Sequence, residues 1–122
     1  MEKEDDVIRF GTQEMHLKWR PKEKFSLDTS PHTAQLDAKE MAFPLVLRRW
    51  KKGDYFYPLG MQKKKKLARF FIDQKLSQTE KEKVWVLESH KRIVWICGYC
   101  IDNRFKVTES TRQVLQLTLS SL

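Results

Sequence analysis

Cations are the residues of this chain whose types and spacing could do chemistry, and they concentrate in residues 48–75. This stretch holds ten Lys/Arg against two Asp/Glu, a formal charge of +8, whereas residues 1–47 hold seven against nine. Solubility alone does not require so asymmetric a charge. A local positive field of this strength attracts polyanions, which include RNA, DNA, anionic lipid and acidic proteins.

Docking on RNA would use these side chains directly. An RNA duplex has a deep, narrow major groove that side chains cannot read, so a docking protein gains mainly from phosphates, 2′-hydroxyls and shape. Arginines can fork onto phosphate oxygens, and lysines act as mobile point charges. The simpler interpretation of a lysine run is a solvated face without a partner. The candidate RNA-binding residues are Arg48, Arg49, Lys51, Lys52, Lys63, Lys64, Lys65, Lys66, Arg69 and Arg104.

Three of these arginines carry structural alternatives. Neighbouring residues of a strand point to opposite faces, so we expect one of Arg48 and Arg49 to meet RNA and the other to pair with a carboxylate. Arg104 could contact RNA, or it could pair with Asp102 and lock the loop before the last strand. The sequence leaves both roles of Arg104 open.

Three aromatic residues stand beside the cations. Tyr55, Phe56 and Tyr57 could form a stacking platform for an unpaired base. The competing interpretation places Phe56 in the core, with the tyrosines covering it. We predict the core position for Phe56 and leave the two tyrosines open between these roles.

The sequence gives little support for a redox-active cysteine pair or for a metal site. The segment 97–100 (CGYC) has the spacing of a redox motif, but Cys97 ends an apolar run and does not start a helix, so we predict buried structural cysteines. The three histidines are scattered without the spacing of metal ligands.

The aspartates of the basic stretch are better explained by structure than by acid–base catalysis. Asp54 is predicted to be a turn residue after Gly53, and Asp73 an exposed partner of Arg69 one helical turn away. We therefore expect no catalytic residue, metal or cofactor in this chain.

One main helix, predicted at about residues 64–75, positions most of the cations. Leu67, Phe70 and Phe71 fall at helical spacing and make a buried stripe, which leaves the charged face in solvent. Ser77 and Glu80 have the spacing of a capping box, so a short second helix to about residue 83 is expected.

Short strands make up the rest of the chain. Two or three are predicted within residues 7–39, where apolar alternations such as Phe25 and Leu27 are interrupted by prolines, and another within residues 43–50. The apolar runs 84–88 and 93–97 predict an antiparallel hairpin that is buried on both faces.

The end of the chain also predicts a strand. Leu115, Leu117 and Leu119 alternate with polar residues, as in a half-buried strand. There is no alternation of strand, helix and parallel strand. The predicted fold class is therefore α+β, a mostly antiparallel sheet of short strands packed against one main helix and a short second helix.

The composition predicts one compact domain. A chain of 122 residues with 40% hydrophobic residues can bury roughly two thirds of its unfolded surface. The longest apolar runs are far short of the roughly 20 residues needed to span a bilayer, so no membrane partner is expected. With only two cysteines and no leader pattern, we expect a reducing cytoplasm.

Several short motifs follow one another in a specific order. They are RRW at 48–50, GD at 53–54, GM at 60–61, KL at 66–67 and RF at 104–105, with Phe56, Pro58 and Asp102 between them. This order resembles the C-terminal domain of bacterial tRNA(Ile)-lysidine synthetase over about residues 36–119. We therefore expect residues 36–122 to form that domain, and residues 1–35 to be a variable lead-in of short strands packed on it.

The resemblance implies a tRNA-recognition domain without a catalytic site. In the family, an N-terminal ATP-pyrophosphatase domain uses ATP and Mg to join lysine to the wobble cytidine of isoleucine tRNA, and the C-terminal domain docks the tRNA body and acceptor stem. The implied partners are isoleucine tRNA and the N-terminal catalytic domain of the same parent chain. The alternative is a freestanding basic RNA-binding adaptor of the ribosome-associated type, with sequence-blind RNA affinity.

Overall fold

The computed structural model describes residues 6–24 and 26–121, which form an α+β fold with antiparallel sheets, as predicted. In chain order the elements are β1 (Asp6–Phe10), β2 (Gln13–Pro21), β3 (Thr33–Asp37), β4 (Leu45–Arg49), β5 (Tyr55–Phe56), β6 (Lys65–Lys66), α1 (Leu67–Asp73), α2 (Gln78–Glu82), β7 (Trp85–Ser89), β8 (Arg92–Ile96), β9 (Cys100–Ile101) and β10 (Gln113–Ser121). Within these described ranges, no helix is long and apolar enough to cross a membrane.

The first sheet runs in the order β1-β2-β10-β3. Its middle strand β10 pairs along its whole length with β2 and over Val114–Thr118 with β3. Leu115, Leu117 and Leu119 of β10 are buried, which confirms the predicted alternation. The domain boundary predicted at residue 35 lies inside β3, and β10, on the far side of that boundary, pairs with both β2 and β3.

Leu27, one of the apolar residues of the lead-in, does not lie in a strand. Phe25 lies outside the described residues, and Leu27 lies in the loop between β2 and β3 with 76% of its surface exposed. The Asp28 carboxylate accepts a hydrogen bond from the Ser30 N–H at 2.8 Å, which turns the loop, and Pro31 has no N–H to donate to a ladder. Leu27 therefore lies outside the strands, and the prediction of two or three strands within residues 7–39 is confirmed by β1, β2 and β3.

The second sheet runs in the order β4-β7-β8-β9, and its central strands β7 and β8 are buried on both faces. Leu87 and Trp95 belong to the core between the two sheets, whereas Val86 and Ile96 belong to a second core under the helices. The predicted hairpin of β7 and β8, with two buried faces, is confirmed.

A third layer, made of α1 and the small β5–β6 sheet, covers the outer face of the second sheet through Phe56, Leu67, Phe70 and Phe71. Leu67, Phe70 and Phe71 of α1 join Val86 and Ile96 in the second core. These α1 residues are the stripe that the sequence predicted, so the helix faces are assigned correctly.

The main helix is shorter than predicted, since α1 starts at Leu67 and ends at Asp73. Lys65 and Lys66 form β6 instead and pair with β5. The Leu67 N–H donates to the Asp54 carbonyl at 3.0 Å, so a long-range partner holds this point of the chain. Lysines in a first helical turn would also lie at the positive end of the helix dipole. The prediction of helix over residues 64–66 was therefore wrong.

The second helix has the predicted cap. The Ser77 hydroxyl accepts from the Glu80 N–H at 3.1 Å, and the Glu80 carboxylate accepts from the Ser77 N–H at 2.9 Å. The hydrogen bond from the Ser77 N–H is the largest of the effects that hold the pKa of Glu80 below its usual value. A short α2 is therefore stable despite having no buried residue.

Substitutions of the neighbouring residues Phe71 and Ile72 test how much the packing of α1 stabilises the protein. Phe71 is fully buried and packs edge-on against Trp50, whereas Ile72 is 57% exposed. We expect Phe71→Ala to lower the free energy of unfolding by about 3–5 kcal/mol, and Ile72→Ala to change it by less than about 0.5 kcal/mol. Urea unfolding followed by tryptophan fluorescence measures both. Similar small losses in the two variants would show that α1 does not hold the second core together.

Candidate nucleic-acid interface

Arg48 is anchored by two carboxylates at the end of β4. Its Nη1 and Nη2 each lie 2.9 Å from an oxygen of Asp54, and its Nε lies 2.8 Å from Glu88. Asp54 also accepts from the Lys51 N–H at 2.7 Å, which closes the turn after β4. The prediction of Asp54 as a turn residue is confirmed, and its pairing with Arg48 is a second role that the sequence did not indicate.

Both members of this pair are held in their charged forms. Burial disfavours the Asp54 carboxylate, but hydrogen bonds from Arg48 and from the Lys51 N–H outweigh it and keep the pKa of Asp54 below its usual value of 3.8. The hydrogen bond to Asp54 also raises the pKa of Arg48 above its usual range. Arg48 donates four hydrogen bonds to protein acceptors. Its main role is therefore to join β4, the turn after it and β7.

Arg49 leaves β4 on the opposite face, as predicted. Its guanidinium lies over the Trp85 ring, 4.6 Å from the ring centroid, and Nη1 donates to the Glu82 carbonyl at 2.6 Å. Arg49 is exposed. The expectation that one of the two arginines pairs with a carboxylate is confirmed, and that arginine is Arg48.

Arg104 is also paired with a carboxylate. The fully buried Asp102 accepts from Arg104 Nε at 3.0 Å and Nη2 at 2.9 Å, and from the Tyr57 N–H at 2.9 Å. The hydrogen bond to Asp102 raises the pKa of Arg104. The ion pair therefore locks the loop at Tyr57 to the 3₁₀-helix Asn103–Phe105, and an RNA contact by Arg104 stays a prediction.

The exposed lysines of the basic stretch lie on two neighbouring segments. The turn after β4 carries one group, and the extended chain before α1 carries the other. The pairing of β5 with β6 and the hydrogen bond from the Leu67 N–H to the Asp54 carbonyl bring these segments side by side. We call the following five exposed residues the lysine surface: Lys51, Lys52, Lys63, Lys64 and Lys66.

Asp73 engages two further cations of the predicted set. It forms ion pairs with Lys65 and with Arg69, whose Nε lies 3.3 Å away. The hydrogen bond from Lys65 is the largest of the effects that lower the pKa of Asp73. The predicted Arg69–Asp73 pair is confirmed. Lys65 has less freedom than the lysines on either side of it and fixes the extended segment to α1.

The aromatic residues divide between core and surface. Phe56 is fully buried, as predicted, whereas Tyr55 is 43% exposed. The Lys64 ammonium lies 4.9 Å from the centroid of the Tyr55 ring, and the Arg104 guanidinium lies 4.3 Å from that of Tyr57. Both tyrosine rings are therefore in contact with cations at the surface, and a stacking role for either stays a prediction.

Two cations at this surface were not identified by the sequence reasoning. Lys91 and Arg92 form the exposed tip of the β7–β8 hairpin, and with Arg48 and Arg104 they line one small cleft. The feature of the sequence that could have identified Lys91 and Arg92 is a predicted hairpin turn that carries two adjacent cations. Placing that turn beside Arg48 requires the pairing of β4 with β7, and Arg48 contacts Glu88 across 40 positions of the sequence.

The cysteines do not form a reactive site. Cys97 is buried, and burial raises the pKa of its thiol above the usual range. Cys100 is half-buried and its pKa is also raised, mainly by burial. The prediction of a buried structural cysteine is confirmed for Cys97. Among the described residues, no group of three or more His, Cys, Asp and Glu is arranged to hold a metal ion.

The Arg48–Asp54 pair predicts a pH-dependent contribution to stability. Because the folded pKa of Asp54 is depressed, the carboxylate stabilises the folded protein above its ordinary pKa, and this contribution is lost as the pH falls through the folded pKa. We expect Asp54→Asn to cost about 1–3 kcal/mol near pH 7, and the difference from the parent chain to shrink as the pH is lowered below 3.8.

Urea unfolding of both chains over that pH range measures the effect. Asp73→Asn is the matched control, because it removes a more exposed ion pair and should change stability less at every pH. A loss for Asp54→Asn that stays constant down to the lowest pH would show that the charge of Asp54 is not the cause.

This chain is similar in sequence to proteins of one known family. The family described as the TilS substrate C-terminal domain matches residues 45–117. A tRNA(Ile)-lysidine synthase of Parabacteroides distasonis is 47% identical over 91 residues, which are 75% of this chain and 21% of that protein. A second, from Clostridium perfringens, is 32% identical over 116 residues, 94% of this chain and 24% of that protein. This chain therefore spans about a fifth to a quarter of the length of these relatives.

Solved structures show the same fold. A structure described as the crystal structure of the TILS C-terminal domain matches with a TM-score of 0.77 and 18% identity, over 91% of this chain and 85% of that one. An N-terminal fragment of the phenylalanyl-tRNA synthetase β-subunit from Pyrococcus horikoshii matches with a TM-score of 0.63 and 14% identity, over 72% of this chain and 28% of that one. Since the family match covers more than half of the sequence, this chain belongs to the TilS substrate C-terminal domain family.

Proposed function

We propose that this domain docks isoleucine tRNA for a tRNA(Ile)-lysidine synthase, by contacting the tRNA body and acceptor stem. The observation that carries the proposal is the lysine surface, five exposed cations on two segments held side by side by backbone hydrogen bonds. Family membership is the reason for proposing tRNA as the partner, because the relatives are named for a reaction on tRNA(Ile).

The geometry suits contact with phosphates better than reading of bases. The five lysines are point charges on flexible stems, and such groups follow the backbone of an A-form duplex without requiring a sequence. The segments beneath them are fixed, since Lys65 is tied to Asp73 and the turn after β4 is tied to Arg48. A fixed array of mobile charges fits a recognition domain that reads shape.

Within the predicted set of site residues, we assign two kinds of role. The lysine surface (Lys51, Lys52, Lys63, Lys64 and Lys66) contacts phosphates directly. The exposed Arg49 and Arg69 are further candidates, and Arg69 also pairs with Asp73. Arg48, Arg104 and Lys65 act mainly by holding these segments in place, because their charged groups already contact carboxylates.

The chemistry itself belongs to the rest of the parent protein under this proposal. An N-terminal catalytic domain of the same chain would use ATP and Mg to join lysine to the wobble cytidine, in the cytoplasm, while this domain holds the tRNA at a distance from the anticodon. The domain would then contribute to the choice of tRNA without touching the reacting atoms.

The salt dependence of tRNA binding tests the lysine surface. Each phosphate neutralised by a cation contributes about −0.7 to −0.9 to the slope of log K against log salt. Replacing Lys63, Lys64 and Lys66 together by Gln should weaken binding of an isoleucine tRNA transcript and reduce the slope by about 2 to 3. Filter-binding titrations at several salt concentrations measure both quantities.

A matched variant removes the same charge elsewhere. Lys18, Arg20 and Lys22 lie on β2 and just after it, away from the lysine surface, and their replacement by Gln should leave the slope nearly unchanged. Equal effects of the two triple variants would contradict a localised interface. Equal affinity of the parent chain for tRNA and for an unrelated RNA duplex would favour the basic adaptor instead.

A further inference from the structure

A small cationic cleft lies between the turn after β4 and the tip of the β7–β8 hairpin. Its volume is about 90 Å³, well below the several hundred Å³ typical of pockets for organic ligands. A cleft of this size can hold a group as small as a phosphate. The lining residues are Arg48, Gly53, Asp54, Tyr55, Lys91, Arg92, Ile93 and Arg104.

Two of the lining arginines are fixed in place and keep unused donors. Arg104 gives Nε and Nη2 to Asp102, which leaves three of the five N–H groups of a guanidinium without a partner among the described residues. Arg48 gives four and keeps one. Because their carboxylate partners hold both side chains, they present these donors without the entropic cost of ordering a free side chain.

The hairpin tip supplies the charge that the fixed arginines lack. Asp54, Glu88 and Asp102 more than balance the charge of Arg48 and Arg104, since three carboxylates face two guanidinium groups. Lys91 and Arg92 form no ion pair with any described residue, and Arg92 is positioned by its contact with the Phe105 ring, 4.9 Å from the centroid. With Lys91 and Arg92 the cleft and its ion pairs hold four cations against three carboxylates, a net positive charge that favours an anion such as phosphate.

We propose that this cleft binds a single phosphate group of a docked RNA. This phosphate group could come from two places in an RNA, a terminal 5′-phosphate or a phosphodiester within a strand. The terminal group carries more charge and enters a small cleft end-on, so it is the expected ligand. That part of the inference rests on the proposed RNA docking, whereas anion binding by the cleft itself does not.

The first experiment titrates the chain with inorganic phosphate and follows backbone N–H signals by NMR. Saturable shifts are expected at Gly53, Tyr55 and Arg92, relative to chloride at equal ionic strength. Lys91→Asn should weaken this binding about fivefold or more, because it removes an unpaired charge. Absence of localised shifts, or unchanged binding in Lys91→Asn, would overturn the proposal.

A matched control accounts for the backbone at this position. Lys91 and Lys75 are both exposed lysines with positive φ, 64° and 58°, and asparagine tolerates that conformation well. Lys75 does not line the cleft, so Lys75→Asn removes the same charge in the same conformation and should bind phosphate like the parent chain.

The second experiment compares an RNA hairpin that carries a 5′-phosphate with its 5′-hydroxyl twin. A preference of about tenfold for the phosphorylated RNA, lost in Lys91→Asn and kept in Lys75→Asn, identifies the terminal group as the ligand. Equal affinities that fall together in Lys91→Asn identify an internal phosphodiester. Equal affinities that Lys91→Asn leaves unchanged contradict the cleft as an RNA site.

The two proposals fail in different ways. Phosphate binding at the cleft without binding of either RNA would refute tRNA docking and leave the anion site. RNA binding that depends on the lysine surface, with no phosphate shifts at the cleft, would refute the cleft and leave the docking.

Discussion

The central strands β7 and β8 of the second sheet are covered on both faces, and this constraint limits where charge can lie. Leu87 and Trp95 fill one core and Val86 and Ile96 the other, so charged side chains of this region have room only at strand ends, turns and loops. The lysine surface and the hairpin tip occupy such positions. A strongly basic stretch is thus compatible with a well-packed domain because its cations are placed around the edge of a sheet that is apolar on both sides.

Buried carboxylates fix the loops that carry these cations. Asp54 and Asp102 each pair with one arginine and also accept backbone hydrogen bonds, from Lys51 and from Tyr57. Burying such pairs costs desolvation, so they are weak evidence of net stabilisation. Their clearer effect is geometric, since Asp54 closes the turn around Arg48, which also reaches Glu88, and Asp102 joins the 3₁₀-helix to the distant Tyr57. The proposed tRNA surface depends on that geometry.

Features set by neighbouring residues were predictable from the sequence. The Ser77–Glu80 cap, the buried stripe of α1 and the opposite directions of Arg48 and Arg49 follow from local spacing, and the structure has all three. The motif order also predicted the family correctly. These predictions needed no knowledge of which strands pair.

Features set by long-range pairing were not predictable. The start of α1 depends on the hydrogen bond from Leu67 to Asp54 and on the pairing of β6 with β5, so helical spacing alone placed the start too early. The division into two sheets, and the approach of Lys91 to Arg48, depend on pairing between distant strands. Local patterns report which residues are apolar or charged, but they do not report which segments meet.

Lysine footprinting with an isoleucine tRNA transcript tests directly whether the lysine surface contacts tRNA. Acetylation rates of individual lysines, measured by mass spectrometry with and without tRNA, report which ammonium groups the RNA covers. We expect strong protection of the lysine surface (Lys51, Lys52, Lys63, Lys64 and Lys66), with Lys18 and Lys39 reacting at unchanged rates. Uniform protection of all lysines, or protection centred on Lys18 and Lys39, would contradict this expectation.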